Sequence, residues 1–226
     1  MRVVVIGLGG IGSNLVESLC RMMVFSKGDR VCKRLVLVDG DVYETKNRER
    51  QRYLSIGNKA EATREWLQPL FPELEIESKP RFIDADGAYL VMREDDVIFL
   101  GVDNHATRKV VSDEMLKLTN AILISGGNDK YDGNVQIHCR KNGEDVTPPL
   151  THQHPEIEFP KDRNPAELAC GELVASGEPQ LLSVNWSIAS LMLNAYTVWL
   201  ENGAFPYKEL YFDLRTGNVR AVKVKG

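Results

Sequence analysis

Arg2-Val3-Val4-Val5-Ile6-Gly7-Leu8-Gly9-Gly10-Ile11-Gly12-Ser13 opens the chain, and its reading decides the fold. Arg2 to Ile6 is a β-branched run without polar alternation, as suits a strand covered on both faces of a parallel sheet. Gly7 ends it. From there Ile11, Leu15, Leu19, Met22 and Met23 recur at helical spacing, which predicts a helix over residues 11–24. The glycines between strand and helix fit G-x-G-x-x-G. Their missing side chains let a backbone approach phosphates, and the helix N-terminus adds free N–H groups and a positive dipole. A tight turn that binds nothing has the same spacing, so the rest of the chain must decide.

Outward from this unit, Leu35 to Val38 predicts a second strand closed by Asp39, which is placed to accept hydrogen bonds from ribose hydroxyls. Lys59 to Leu70 predicts a helix that stops before Pro72. Strands follow at 74–78, 97–101 and 121–125, with a helix over 107–118 between the last two. This alternation predicts an α/β fold: a Rossmann-like, doubly wound, mostly parallel sheet. Residues 133–140 alternate like an antiparallel strand, while 142–165 hold five prolines and no period, as expected of a long loop that covers a site. A helix over 180–201 and two strand-like runs, 210–214 and 219–224, joined at Thr216-Gly217-Asn218, give antiparallel C-terminal strands. The 226 residues are expected to form one domain: a nucleotide-binding part to about 130, a crossover segment over about 141–179, and a closing helix and hairpin.

Composition narrows the class. Apolar residues make up 43% of the chain, enough for a core without staples, and a net charge of -4 offers polyanions no general attraction. Neither nucleic acid nor a membrane is an expected partner, because the apolar stretch 181–200 carries Asn185, Ser187, Ser190 and Asn194. Cys20, Cys32, Cys139 and Cys170 form no C-x-x-C pair, so reduced thiols in a cytoplasmic setting are expected, with no structural zinc. His152 and His154 with a cysteine could imitate a metal site, but two histidines in a polar loop are more often solvated.

Two chemistries share the glycine turn: hydride transfer with a nicotinamide dinucleotide, and nucleotidyl transfer from ATP. The residues after Asp39 separate them, because Asn47, Arg48, Arg50 and Gln51 cluster beyond the ribose-binding strand end. A dinucleotide does not need them. A triphosphate attacked at its α-phosphorus does, since charge develops on the adenylyl group and on departing pyrophosphate. Arg50 and Lys59 are spaced to reach phosphates, and Asp103 is placed to hold Mg2+ through one carboxylate. A solvated charged loop is the plainer alternative for this segment.

Gly7-Leu8-Gly9-Gly10-Ile11-Gly12-Ser13, Asp39-x-Asp41, Asn47-x-x-Arg50-Gln51, Lys59 and Val102-Asp103-Asn104-x-x-Thr107-Arg108 together resemble the ThiF/MoeB/ubiquitin-activating superfamily in order and spacing. The resemblance covers residues 1–133 well and the closing helix and hairpin more loosely. It implies ATP-dependent adenylation of the C-terminal glycine carboxylate of a ubiquitin-like or sulfur-carrier protein, usually by a homodimer. It places Gly7, Gly9, Gly10, Gly12, Asp39, Asp41, Asn47, Arg50, Gln51, Lys59, Asp103 and Asn104 around ATP and Mg2+. Arg50, Lys59 and Asp103 carry the chemistry, and Cys170 falls where several relatives hold a thiol that takes the activated acyl group.

The sequence departs from this pattern in two respects. It lacks the paired cysteines of the family's zinc site, and its first strand starts at Arg2, so the N-terminal arm whose arginine enters the partner's site is expected to be absent. Arg48 is a substitute. A catalytically silent, carrier-binding scaffold of the same fold is therefore the alternative function, and an NAD-dependent oxidoreductase is the third. A compact prokaryotic or phage-type member fits this length better than a complete eukaryotic activating enzyme.

Overall fold

A computed structural model describes residues 1–45, 51, 56–152, 154–168 and 181–224. In chain order the elements are β1 (Val3–Ile6), α1 (Gly10–Phe25), β2 (Arg34–Val38), β3 (Val42–Tyr43), β4 (Gly57–Asn58), α2 (Lys59–Leu70), β5 (Glu75–Lys79), α3 (Ala88–Val91) and β6 (Val97–Leu100). They continue as α4 (His105–Met115), β7 (Ala121–Asn128), β8 (Asp132–Lys141), β9 (Glu144–Asp145), α5 (Pro155–Glu158), α6 (Leu182–Asn202), β10 (Tyr207–Asp213) and β11 (Asn218–Lys223).

One mixed sheet runs β11-β10-β8-β7-β6-β1-β2-β5, with β9 paired to β8 and β3-β4 forming a separate ribbon. From β5 to β7 the strands are parallel; β8, β10 and β11 are antiparallel. From β1 the chain winds outward to β2 and β5, then crosses back to β6 on the other side of β1. A crevice therefore opens at the carboxyl ends of β1 and β6, where open α/β sheets bind ligands.

Apart from the edge strand β5, each parallel strand buries both faces because helices cover both. Val3, Val5, Leu35, Leu37 and Phe99 join α1, α2 and α6 in one core, while Val4, Ile6, Val36, Val38 and Ile98 join α3, α4 and α5 in the other. That is why residues 3–6 show no polar alternation.

Two expectations need revision. Residues 142–168 carry β9, a 3-10 turn at Leu150–His152 and α5, and Leu150 and Ile157 are buried in the second core. Elements of one turn or less have no period to read. His154 is not solvated either: Nδ1 meets Glu156 at 2.9 Å and Nε2 meets Glu209 on β10 at 2.9 Å, so this imidazole ties the segment to the sheet.

Candidate functional site

The glycine turn lies at the crevice, and its glycines differ in what they do. Gly7 has φ +88, and a Cβ there would lie 2.9 Å from the Gly101 carbonyl carbon; a Cβ on Gly12 would lie 1.9 Å from the Gly7 oxygen. Both let β1, β6 and α1 approach closely. At Gly10 the added atom would lie 2.3 Å from Asn185 Nδ2, whereas at Gly9 nothing stands within 4 Å. Only Gly9, then, leaves open space for a ligand. No side chain caps α1, so its first N–H groups face that space.

On the β2 flank a closed hydrogen-bond network forms. Asp39 Oδ2 accepts from Leu8 N at 2.6 Å and Oδ1 from Asp41 N at 2.8 Å, which joins the end of β2 to the glycine turn. Lys59 Nζ donates to Asp41 Oδ2 at 2.5 Å, although the lysine side chain is only 5% exposed. Asn58 caps α2 through Ala60 N and Glu61 N and donates from Nδ2 to the carbonyls of Asp39 and Asp41. Burial pushes the Asp39 carboxyl up, against the pull of Lys59 and the two amides. For Lys59 burial acts downward, but the carboxylates of Asp39 and Asp41 outweigh it and hold the ammonium above its ordinary range. The lysine is a fixed, partly desolvated cation.

The β6 flank is arranged differently. Asp103 is exposed at the rim, and its carboxylate makes no hydrogen bond or ion pair among the described residues. One free carboxylate beside a phosphate suits Mg2+, which takes few protein ligands. Among the described residues no group of three or more His, Cys, Asp or Glu could hold a metal by itself. Asn104 Oδ1 caps α4 at Thr107 N, and Asp162 accepts from His105 N and Ala106 N, so that helix terminus is already satisfied from within the chain. Arg108 lies beneath, donating to Ser125 Oγ and to the carbonyls of Val102 and Gly126. Burial pulls its guanidinium down to about 10, against Asp103 and Asp162, and it stays charged at neutral pH.

A third set comes from α6. Asn185 is fully buried in its first turn, and Oδ1 accepts from Asn128 Nδ2 at 3.0 Å. Its Nδ2 has no partner among the described residues.

The structure thus brings Gly7, Gly9, Gly10, Gly12, Asp39, Asp41 and Lys59 together and sets Asp103 and Asn104 across β1 from them. Gln51 is buried, with Oε1 unpartnered among the described residues. Asn47, Arg48, Arg50 and Cys170 lie outside the described residues. Of the other thiols, burial raises Cys20 to about 12 and Cys139 to about 11, which makes them poor nucleophiles. Sequence reading missed Asn58, Asn128 and Asn185. For Asn58 the N-cap preference of asparagine before a helix was a usable signal; for the other pair, 57 residues apart, there was none.

The ThiF family profile matches residues 1–209. Adenylyltransferase and sulfurtransferase MOCS3 of Drosophila virilis is 33% identical over 140 residues, 60% of this chain and 29% of that protein. The SAMP-activating enzyme E1 of Haloferax volcanii is 29% identical over 136 residues, 58% of this chain and 47% of its own length. The chain therefore spans less than half the length of either relative. A crystal structure of E. coli MccB with ATP superposes with a TM-score of 0.70 at 17% identity, covering 98% of this chain and 63% of MccB, which shows a shared fold. Among the described residues no helix is long and apolar enough to cross a membrane. With its profile match running from the first strand into β10, and with the glycine turn, Asp39, Lys59 and Asp103 gathered around one crevice, this chain belongs to the ThiF family.

Proposed function

We propose that this chain is an ATP-dependent adenylyltransferase acting on the C-terminal glycine carboxylate of a ubiquitin-like or sulfur-carrier protein. The observation that carries the reading is the Asp39–Asp41–Lys59 network bonded directly to the glycine turn, since it sets a ribose acceptor and a buried cation beside an uncapped helix N-terminus. Family membership and relatives named as adenylyltransferases support it.

In this reading Asp39 accepts from the ribose hydroxyls, and the N–H groups at Gly9 and Gly10 receive the α-phosphate. A carboxylate oxygen of the carrier bonds to the α-phosphorus as the bond to pyrophosphate breaks. Pyrophosphate leaves with the electron pair, and no proton moves. Lys59, with Arg50 and Asn47, neutralises the departing charge without reorganising. Asp103 would hold Mg2+, which when bound supplies further neutralisation on the phosphates. Transfer of the acyl group to Cys170 and assembly into a homodimer belong to the same proposal.

The test is ATP–pyrophosphate exchange with purified protein and glycine-ended carrier candidates. Exchange that needs both the carrier's terminal glycine and Mg2+ is expected. Well-folded protein that binds ATP and a carrier yet exchanges no pyrophosphate would overturn the enzyme reading and leave a carrier-binding scaffold.

A further inference from the structure

Asn185 contradicts the usual rule for buried amides. Its side chain is fully buried, its oxygen is occupied by Asn128, and its nitrogen, a two-proton donor, has no acceptor among the described residues. An unmet buried donor is costly, so its retention asks for a reason. The amide lies on Gly10, at the start of α1. Asn185 itself is in the first turn of α6, a 21-residue helix whose N-cap, Leu181, provides no capping side chain. The N-termini of α1 and α6 therefore meet at the Gly10–Asn185 contact, both without side-chain caps, with a spare donor between them. Two positive helix ends and an amide N–H all favour an anionic oxygen.

Two anionic oxygens are available there: the nucleotide's α-phosphate and the incoming carboxylate. The strand order separates them. Along the rim, β2, β1, β6 and β7 follow one another; Asp39 and Lys59 stand on the β2 side, while Asn185 is oriented from Asn128 at the end of β7. In-line displacement needs the entering and leaving oxygens on opposite sides of phosphorus. With pyrophosphate drawn toward Lys59, the entering oxygen approaches from the α6 side.

We infer that Asn185, oriented by Asn128 and set on the N-terminal turn of α6, is the substrate-binding donor that holds the carboxylate being adenylated against the glycine turn. The inference rests on the adenylation reading above. Gly10 is glycine because this amide must lie on it.

The test compares the affinities of ATP and of glycylglycyl sulfamoyladenosine, a stable mimic of an adenylated Gly-Gly terminus, by calorimetry on wild-type protein, Asn185→Asp and Asn185→Ser. Aspartate keeps the shape, still accepts from Asn128 and suits a helix N-terminal turn, so it should fold; thermal melts check both variants, and serine provides the second reading should aspartate misfold. The mimic is expected to lose roughly tenfold or more in affinity relative to the loss for ATP. Equal losses for both ligands would make Asn185 part of the phosphate site or of the turn's packing, and unchanged affinities would make it a spectator. Either overturns the inference. Wild-type protein that binds neither ligand would instead remove the adenylation reading itself.

Discussion

The two sides of the glycine turn are built on opposite principles. On the β2 side Asp39, Asp41, Asn58 and Lys59 satisfy one another, so a charged site is held in shape before any ligand arrives. Across β1, among the described residues, Asp103 stands without a hydrogen bond or ion pair at the surface and the Asn185 amide nitrogen is buried without an acceptor. Groups that must stabilise developing charge work best when fixed in advance, as Lys59 is. Groups that must accept a metal or a moving substrate keep valence to spare.

The strongest way to break this contrast is Lys59→Met. It should lower exchange activity roughly 1,000-fold, and it should also cost about 1–3 kcal/mol of stability because the Asp39 and Asp41 carboxylates lose their partner. Exchange kinetics and urea denaturation measure the two losses. Full stability in this variant would show that the network is not closed. Asp103→Ala should do the reverse: roughly a 100-fold loss of Mg2+-dependent exchange with unfolding little changed, since its carboxylate makes no hydrogen bond or ion pair among the described residues and acts on Arg108 only through space. A Mg2+ titration that matches wild type would remove the assigned role.

Gly10→Ala against Gly9→Ala sharpens the picture at smaller scale. The first places a methyl 2.3 Å from Asn185 Nδ2 and should cost about 1–3 kcal/mol; the second meets nothing within 4 Å and should stay within about 0.5 kcal/mol, while weakening nucleotide binding. Adding Asn185→Ala should recover part of the Gly10→Ala loss, and urea midpoints decide it.

The smallest effect concerns the His154 tie. Its hydrogen bond to Glu209 raises the imidazole above its ordinary value, burial opposes this, and Glu156 adds to the rise. A raised cation stabilises fully below the unfolded value, near 6.5, and the contribution fades as pH rises through the folded value. Glu209 and Glu156, held low, lose theirs only as pH falls through their own folded values. The stability gap between wild type and His154→Ala should therefore narrow between about pH 6 and pH 8, and a constant gap would show that the tie does not titrate.

Much of this was legible before any coordinates. The run Arg2–Ile6 and the glycine spacing predict the strand and turn that are found, and the helix expected over residues 59–70 is α2. Periodicity carried those readings because each element is long enough to repeat. Residues 142–165 read as loop because their short elements repeat nothing, and His154 reads as solvated because its partner Glu209 is 55 residues away.

Local sequence by itself determined the parallel sheet and the glycine turn, since each follows from spacing within one element or one turn. Only the tertiary structure decided that Gly10 packs under Asn185 while Gly9 faces open space, that Lys59 is locked to Asp41, and that the N-termini of α1 and α6 meet. Those are contacts between segments up to 175 residues apart, made by the way the helices dock on the sheet, and no local pattern encodes them.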